Sequence, residues 1–403
     1  MVEQLSNQQS WKPWQGLVYL AGAFVLLIAS SFTLQSWFGM FGLVLSQILF
    51  LGYAIGVTKL HKTPLKEVFP VKMISIKEFF GTVIFAVGAI LANIGLAGLG
   101  MVLFPQGMEN VQATTDFLYG NGLPPMLIVF IVSLTPAICE EALMRGGFLS
   151  HFRGLKNEWA VMAIVGVGFG LLHTSTIKFL STGFLGACLA YLIIRKKNIV
   201  FPALVHFLNN FLSSAVGVLT TTQTSGEAQE AAAQTVTANP SQMIGAYLMM
   251  ACAAPILLYL GAVIMGATKN KGKMWAISGI LSGALLLGGF GCNYAYTATH
   301  TVCQFSASTT ANIEVNLYEF EIKEKANYQI VLSGSLDKGQ LDVKIVDENG
   351  EIVTTDKVNS GMVIVNQVVT LEPGKYTIIV GNNDSAGEDL QEIAVQGQIV
   401  NMG

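Results

Sequence analysis

Seven polar side chains stand within 71 residues of otherwise apolar sequence: Glu140, Glu141, Arg145, His173, His206, Asn209 and Asn210. A carboxylate beside an imidazole can draw a proton from water and so prepare it for attack on a carbonyl. A histidine and an amide stacked one helical turn apart can both donate to a developing oxyanion. Ionisable groups in lipid are costly and tend to mark function, although any one of them alone could equally be glue between helices. Their number and order give them weight.

Helical spacing separates their roles. In the stretch CEEALMRGGF, Glu141 and Arg145 are four residues apart in the order that favours an ion pair. Glu140 points about 100° away around the helix axis, which leaves one carboxylate free for other work. Pro136 removes a backbone donor and predicts a kink near Glu140. Phe169 and His173 share a face relieved by Gly166 and Gly170, small enough to let a neighbouring helix come close. His206 and Asn210 also share a face, with Asn209 off it and the weaker candidate.

The elements that must carry these residues are membrane helices. Hydrophobic residues make up 52 % of the 403 and charged ones 12 %, against about 25 % charged in a soluble domain. Apolar runs approaching the ~20 residues that cross a bilayer lie at 16–36, 40–58, 79–104, 124–149, 158–176, 180–194, 199–219, 242–266 and 274–291. Nine spans are therefore expected. The first lacks a basic leader and a small-residue cleavage site, and reads as a retained anchor. Lysines and arginines concentrate in alternate loops, at 59–77, 153–156, 195–197 and 269–273. Basic loops stay cytoplasmic, so the expectation is a multi-pass protein of the plasma membrane with its N-terminus inside and its C-terminus outside.

Charge divides the chain in two. Residues 1–304 carry 16 Lys/Arg against 10 Asp/Glu, whereas residues 305–403 carry 6 against 15. From about Ile313 the apolar period becomes two, as in IEVNLYEFEI, NYQIVLSG, QLDVKIVD, EIVTT, MVIVNQVVTL, KYTIIVGN and QEIAVQGQIV. Turn residues separate these runs, predicting about seven antiparallel strands in a β-sandwich. At the level of fold, that tail resembles the small β appendages of secreted bacterial peptidases. The domains expected are thus a membrane domain, 1–304, and an extracytoplasmic β-sandwich domain, 305–403. The segment 220–241 is low in complexity and reads as a loop. Five scattered cysteines give no disulfide framework, although Cys292 and Cys303 would be placed to pair on an oxidising side.

Glu140-Glu141 with Arg145, then Phe169 with His173, then His206 with Asn210, on successive membrane helices, resembles the CPBP intramembrane proteases, the CAAX-protease and bacteriocin-processing family also called Abi. The likeness covers about residues 120–220, including the connection through Phe184, Gly186 and Tyr191. The exterior β tail departs from the family's minimal pattern. The resemblance implies an intramembrane endopeptidase that hydrolyses a peptide bond in a membrane-associated protein or peptide. It assigns Glu140 and His173 to water activation, His206 and Asn210 to the oxyanion, and Glu141, Arg145 and Phe169 to support.

Glu140, His173 and His206 also have the composition of a His₂Glu zinc set. No HExxH helix is present, however, and the favoured expectation is catalysis that requires no cofactor, with zinc as the alternative. Two other functions stay open: a non-enzymatic immunity or scaffold protein whose polar cluster only ties helices together, and a proton-coupled transporter. The second is disfavoured by the compact clustering of the polar residues and the lack of an inverted repeat. The expected partners are the lipid bilayer and the substrate, with no nucleic acid.

Overall fold

The computed structural model describes residues 11–120, 122–223, 240–311, 314–381 and 391–402. Most of the low-complexity segment expected over 220–241 lies outside the described residues. Two compact units divide at Phe290 and Gly291.

The first unit is helical. It contains α1 (Pro13–Ser30), α2 (Ser36–Leu60), α3 (Ile76–Leu103), α4 (Met108–Tyr119), α5 (Pro125–Glu141), α6 (Glu158–Leu172), α7 (Thr176–Lys196), α8 (Val200–Gln223), α9 (Pro240–Ala251) and α10 (Ala254–Ile264). A further helix, α11 (Gly272–His300), runs across the division. Polar residues at the breaks start these helices. Ser75 caps α3 and exchanges hydrogen bonds with Glu78, Asn157 accepts from the backbone of Trp159 and Ala160, and Ser175 accepts from Lys178 N. Large apolar side chains such as Leu17, Phe32, Trp37, Ile280 and Leu287 remain exposed, as helix faces turned to lipid should be.

Among the described residues seven helical runs are long and apolar enough to cross a membrane, rather than the nine expected. The difference has two sources. The first two expected spans form one helical run, Pro13–Leu60, and the fifth is a helix of only 15 residues, Glu158–Leu172. The first run nevertheless folds back on itself. At Gly39 the backbone takes φ 53° and ψ −126°, a conformation that glycine tolerates because it has no Cβ. Tyr53 Oη donates to the Tyr19 carbonyl at 3.1 Å, which holds α1 and α2 as the arms of a hairpin.

The basic loops gather at one end of the helical unit. Asn198 accepts from Lys72 N and donates to its carbonyl, Ile199 N donates to Pro70 O, and Arg153 donates to Glu67 O. Lys196 bonds both Glu78 and the Met265 carbonyl, which brings the connection after α10 to the same end.

The second unit is a six-stranded antiparallel sheet: β1 (Thr301–Ala311), β2 (Val315–Ile322), β3 (Ala326–Asp347), β4 (Ile352–Leu371), β5 (Gly374–Gly381) and β6 (Gln391–Asn401). The order is β1-β6-β3-β5-β2, with β4 also on β3, which leaves the sheet nearly closed. The expected strand list is corrected in two respects. NYQIVLSG and QLDVKIVD are one strand, β3, and EIVTT and MVIVNQVVTL are one strand, β4. Strand β1, whose sequence TVCQFSASTTA shows little apolar alternation, was not foreseen.

Length explains the sheet's curl. The first half of β3 pairs with β6 and its second half with β5, so one bent strand serves two neighbours on the same edge. Ile330, Leu332, Leu341, Ile378, Ile393 and Ile399 fill the interior. Cys292 and Cys303 are free thiols rather than a pair.

Candidate active site

Helix α5 delivers Glu140 and Glu141 at its end and then widens into a π-helical turn, Ala142–Phe148. Such a turn inserts extra backbone into a helix and is common at functional sites. Pro136 sits inside α5, and the departure from α geometry begins only after Glu141. Within the π turn, Arg145 Nη1 still reaches Glu141 Oε1 at 2.9 Å, and Nη2 donates to the Gly186 carbonyl at 3.2 Å. Both Arg145 and Glu141 are fully buried.

Glu141 has a second partner. His206 Nδ1 lies 2.8 Å from the same Oε1. A carboxylate paired with an always-charged guanidinium accepts only, so Nδ1 carries the proton and the His206 ring is fixed. Its Nε2 then faces Glu140 Oε2 at 4.0 Å.

His173 ends α6 as its cap residue, followed by Thr174 in the left-handed region at φ 48°. Its Nδ1 bonds the Phe169 carbonyl at 2.9 Å, which leaves Nε2 as the acceptor nitrogen. Phe169 links the two histidines. Its ring meets His173 and His206 edge-on at centroid distances of 4.6 and 5.7 Å, and the Arg145 guanidinium lies over it at 4.5 Å. Close packing of α6 on α7 makes this possible, since Gly166 has no Cβ to strike the Gly183 carbonyl, which would stand 2.6 Å away.

Asn210 takes its orientation from a residue expected to be minor. Asn93 of α3 donates to Asn209 Oδ1 at 3.0 Å, and Asn209 donates to Asn210 Oδ1 at 3.1 Å. With its oxygen engaged, Asn210 turns its NH₂ outward, where it makes a long 3.4 Å bond to the Val132 carbonyl.

Glu140 and His173 line a single cavity of about 580 Å³, together with Gln47, Ser46, Phe169 and Lys178. Among the described residues no three His, Cys, Asp or Glu side chains are gathered as a metal-holding group. Glu140, His173 and His206, the residues of the zinc alternative, are not gathered as such a group in this arrangement.

A multi-pass helical protein with carboxylates and imidazoles clustered among its apolar helices belongs to the class of membrane proteins with a polar site inside the bundle. Residues 122–212, the stretch that carries Glu140 through Asn210, match the family model described as type II CAAX prenyl endopeptidase, Rce1-like. The match agrees with the CPBP resemblance, and α1 to α4 and the β unit lie outside it. No curated protein matches the chain.

Gln47 and Asn93 are the site's neighbours that sequence reasoning missed. Gln47, with Ser46 beside it, and Asn93 are polar residues in the middle of apolar helices, which is the signal that would have marked them.

Proposed function

We propose that this protein is an intramembrane endopeptidase that hydrolyses a peptide bond in a membrane-associated protein or peptide, with a prenylated CAAX-type C-terminus as the first substrate to try. The observation that carries this reading is the shared cavity lined by Glu140 and His173, within a segment matching a protease family.

Water bound between these two residues would donate one hydrogen to Glu140 and the other to His173 Nε2, leaving a lone pair for the carbonyl carbon. Glu140 takes the proton as the C–O bond forms and can return it to the departing amine as the C–N bond breaks. The carbonyl oxygen, now negative, would be held by Asn210 Nδ2–H and by His206 Nε2–H. In that role His206 would carry a proton on Nε2 as well as on Nδ1, which donates to the Glu141 oxygen that Arg145 also holds. This mechanism needs no cofactor; a zinc requirement is the alternative to be tested.

By the placement of its basic loops, the N-terminus lies inside and the C-terminal β unit outside the plasma membrane. The test is cleavage of a quenched fluorogenic prenyl-CAAX peptide by purified protein in detergent. Glu140→Ala and His173→Ala should each abolish it, and activity should survive exhaustive chelation. Membrane proteomics on wild-type and Glu140→Ala cells would then reveal the native substrate as the species that accumulates. Wild-type cleavage by either variant refutes these catalytic roles, whereas complementation in cells by a well-expressed Glu140→Gln protein would favour a scaffold.

A further inference from the structure

Gln47 lies on α2, outside the segment that matches the protease family. It is buried, at 4 % exposure. Its Nε2 donates to Glu140 Oε1 at 2.8 Å, a contact between residues 93 positions apart. The amide orientation is forced, because an ionised carboxylate accepts hydrogen bonds and cannot donate them. The other end of the same amide, Oε1, is buried and has no hydrogen-bond partner.

That orphaned carbonyl is informative. A buried acceptor without a donor loses its hydration and gains nothing in return. For packing alone, methionine or leucine would fill the place without this cost. The residue is therefore explained by its N–H group, and the N–H group has one recipient, Glu140.

We infer that Gln47 is a positioning residue for Glu140, and that the N-terminal hairpin is thereby part of the catalytic site. The bond immobilises Oε1 and so sets the rotamer of the carboxylate. Oε2 is left as the working oxygen, 4.0 Å from His206 Nε2, on a residue that lines the cavity shared with His173. The inference rests on the proposed protease reading and extends it to a helix which that family segment does not contain. The other charged or titratable groups around Glu140 among the described residues include Cys139, Glu141 and Arg145 of its own helical run, His206 of α8, His173 at the end of α6 and Lys178 of α7. All are left intact by a change at Gln47.

The experiment uses the full-length protein and the same prenyl-CAAX peptide. Gln47→Met keeps the shape and removes both the N–H donors and the orphaned carbonyl. It should lower kcat by roughly 10–100-fold, as expected when a catalytic group is slightly misplaced, with KM within about twofold of wild type and Tm unchanged or raised. Gln47→Glu, closest in shape, should be the more damaged in kcat, because it sets a second carboxylate against Glu140. Three outcomes overturn the inference: wild-type kcat in Gln47→Met, a loss of Tm that parallels the loss of activity, or failure of both variants to fold. Cleavage by Glu140→Ala would instead sink the protease reading itself. An inactive Glu140→Ala beside a fully active Gln47→Met would sink this inference alone.

Discussion

Glu141 Oε1 is shared between His206 Nδ1 at 2.8 Å and Arg145 Nη1 at 2.9 Å. The helix-local ion pair is thus also the device that fixes a histidine on another helix. Glu141 joins α5 to α8, and Arg145, through the Gly186 carbonyl, joins α5 to α7.

Breaking this junction should cost stability and activity together. Glu141→Gln leaves Arg145 as a buried cation without its counter-charge, a loss of about 3–5 kcal/mol. It also replaces the charged acceptor that fixes His206 with a weaker, neutral amide oxygen. We expect a clear fall in Tm in detergent and a residual kcat well below wild type. Glu141→Gln with unchanged Tm would show that the pair is not the structural link described.

Changing the residues proposed to activate water should act differently. Glu140 and His173 both line the cavity, so Glu140→Gln and His173→Ala should lower kcat by about 10²–10⁴-fold. Tm should stay close to wild type, and differential scanning fluorimetry beside the peptide assay measures both.

The close approach of α6 and α7 offers a steric test. A Cβ on Gly166 would stand 2.6 Å from the Gly183 carbonyl, so Gly166→Val must push the helices apart. Overpacking of this kind costs about 1–3 kcal/mol. Because Phe169 rides on the same helix, cleavage should fall as well. Gly154→Ala, with open space around it, is the control and should behave as wild type.

Acid sensitivity should arise away from the proposed catalytic cluster. His151 is buried against Trp11, Tyr19 and His61. Its burial, reinforced by His61, lowers its pKa to about 4 from an ordinary 6.5. Between these values the unfolded chain binds a proton that the folded one refuses, so stability rises with pH. It is complete above about pH 6.5 and falls as the pH drops toward 4, by up to about 3 kcal/mol. Tm measured from pH 7.5 to 4 should therefore decline more steeply for wild type than for His151→Phe. Parallel curves would exclude His151 as the cause.

In the β unit, the turn between β3 and β4 depends on Asp347. Its Oδ1 accepts from Asn349 N and Glu351 N, while Gly350 takes φ 82°. These backbone donors hold the Asp347 carboxyl below its usual range, so its contribution is present above the unfolded pKa and is lost as pH falls through the folded one. Asp347→Ala should speed hydrogen exchange along β3 and β4 at neutral pH, measured by mass spectrometry on the full chain, and leave peptide cleavage unchanged.

Local periodicity made much of this legible in the sequence. The apolar runs, the alternation of basic loops, the switch to period two in the acidic tail and the Glu141–Arg145 spacing all depend on neighbours within one or two turns. Strand fusion was not legible, because NYQIVLSG and QLDVKIVD show a break in apolar alternation that pairing with β4 carries across. The hairpin in Pro13–Leu60 was legible as two spans, yet its reversal at Gly39 depends on a backbone conformation rather than on a polar gap.

By itself the sequence determined that the chain would be a helical membrane protein with a β tail, and it singled out Glu140, His173, His206 and Asn210 as candidates for chemistry. Only the tertiary structure decided their partners: Glu141 with His206, Asn93 through Asn209 with Asn210, and Gln47 with Glu140. The physical reason is separation along the chain. These hydrogen bonds, apart from the one between the adjacent Asn209 and Asn210, join side chains 65 to 116 positions apart. They exist only because the helices of the folded unit pack against one another and bring single polar groups together.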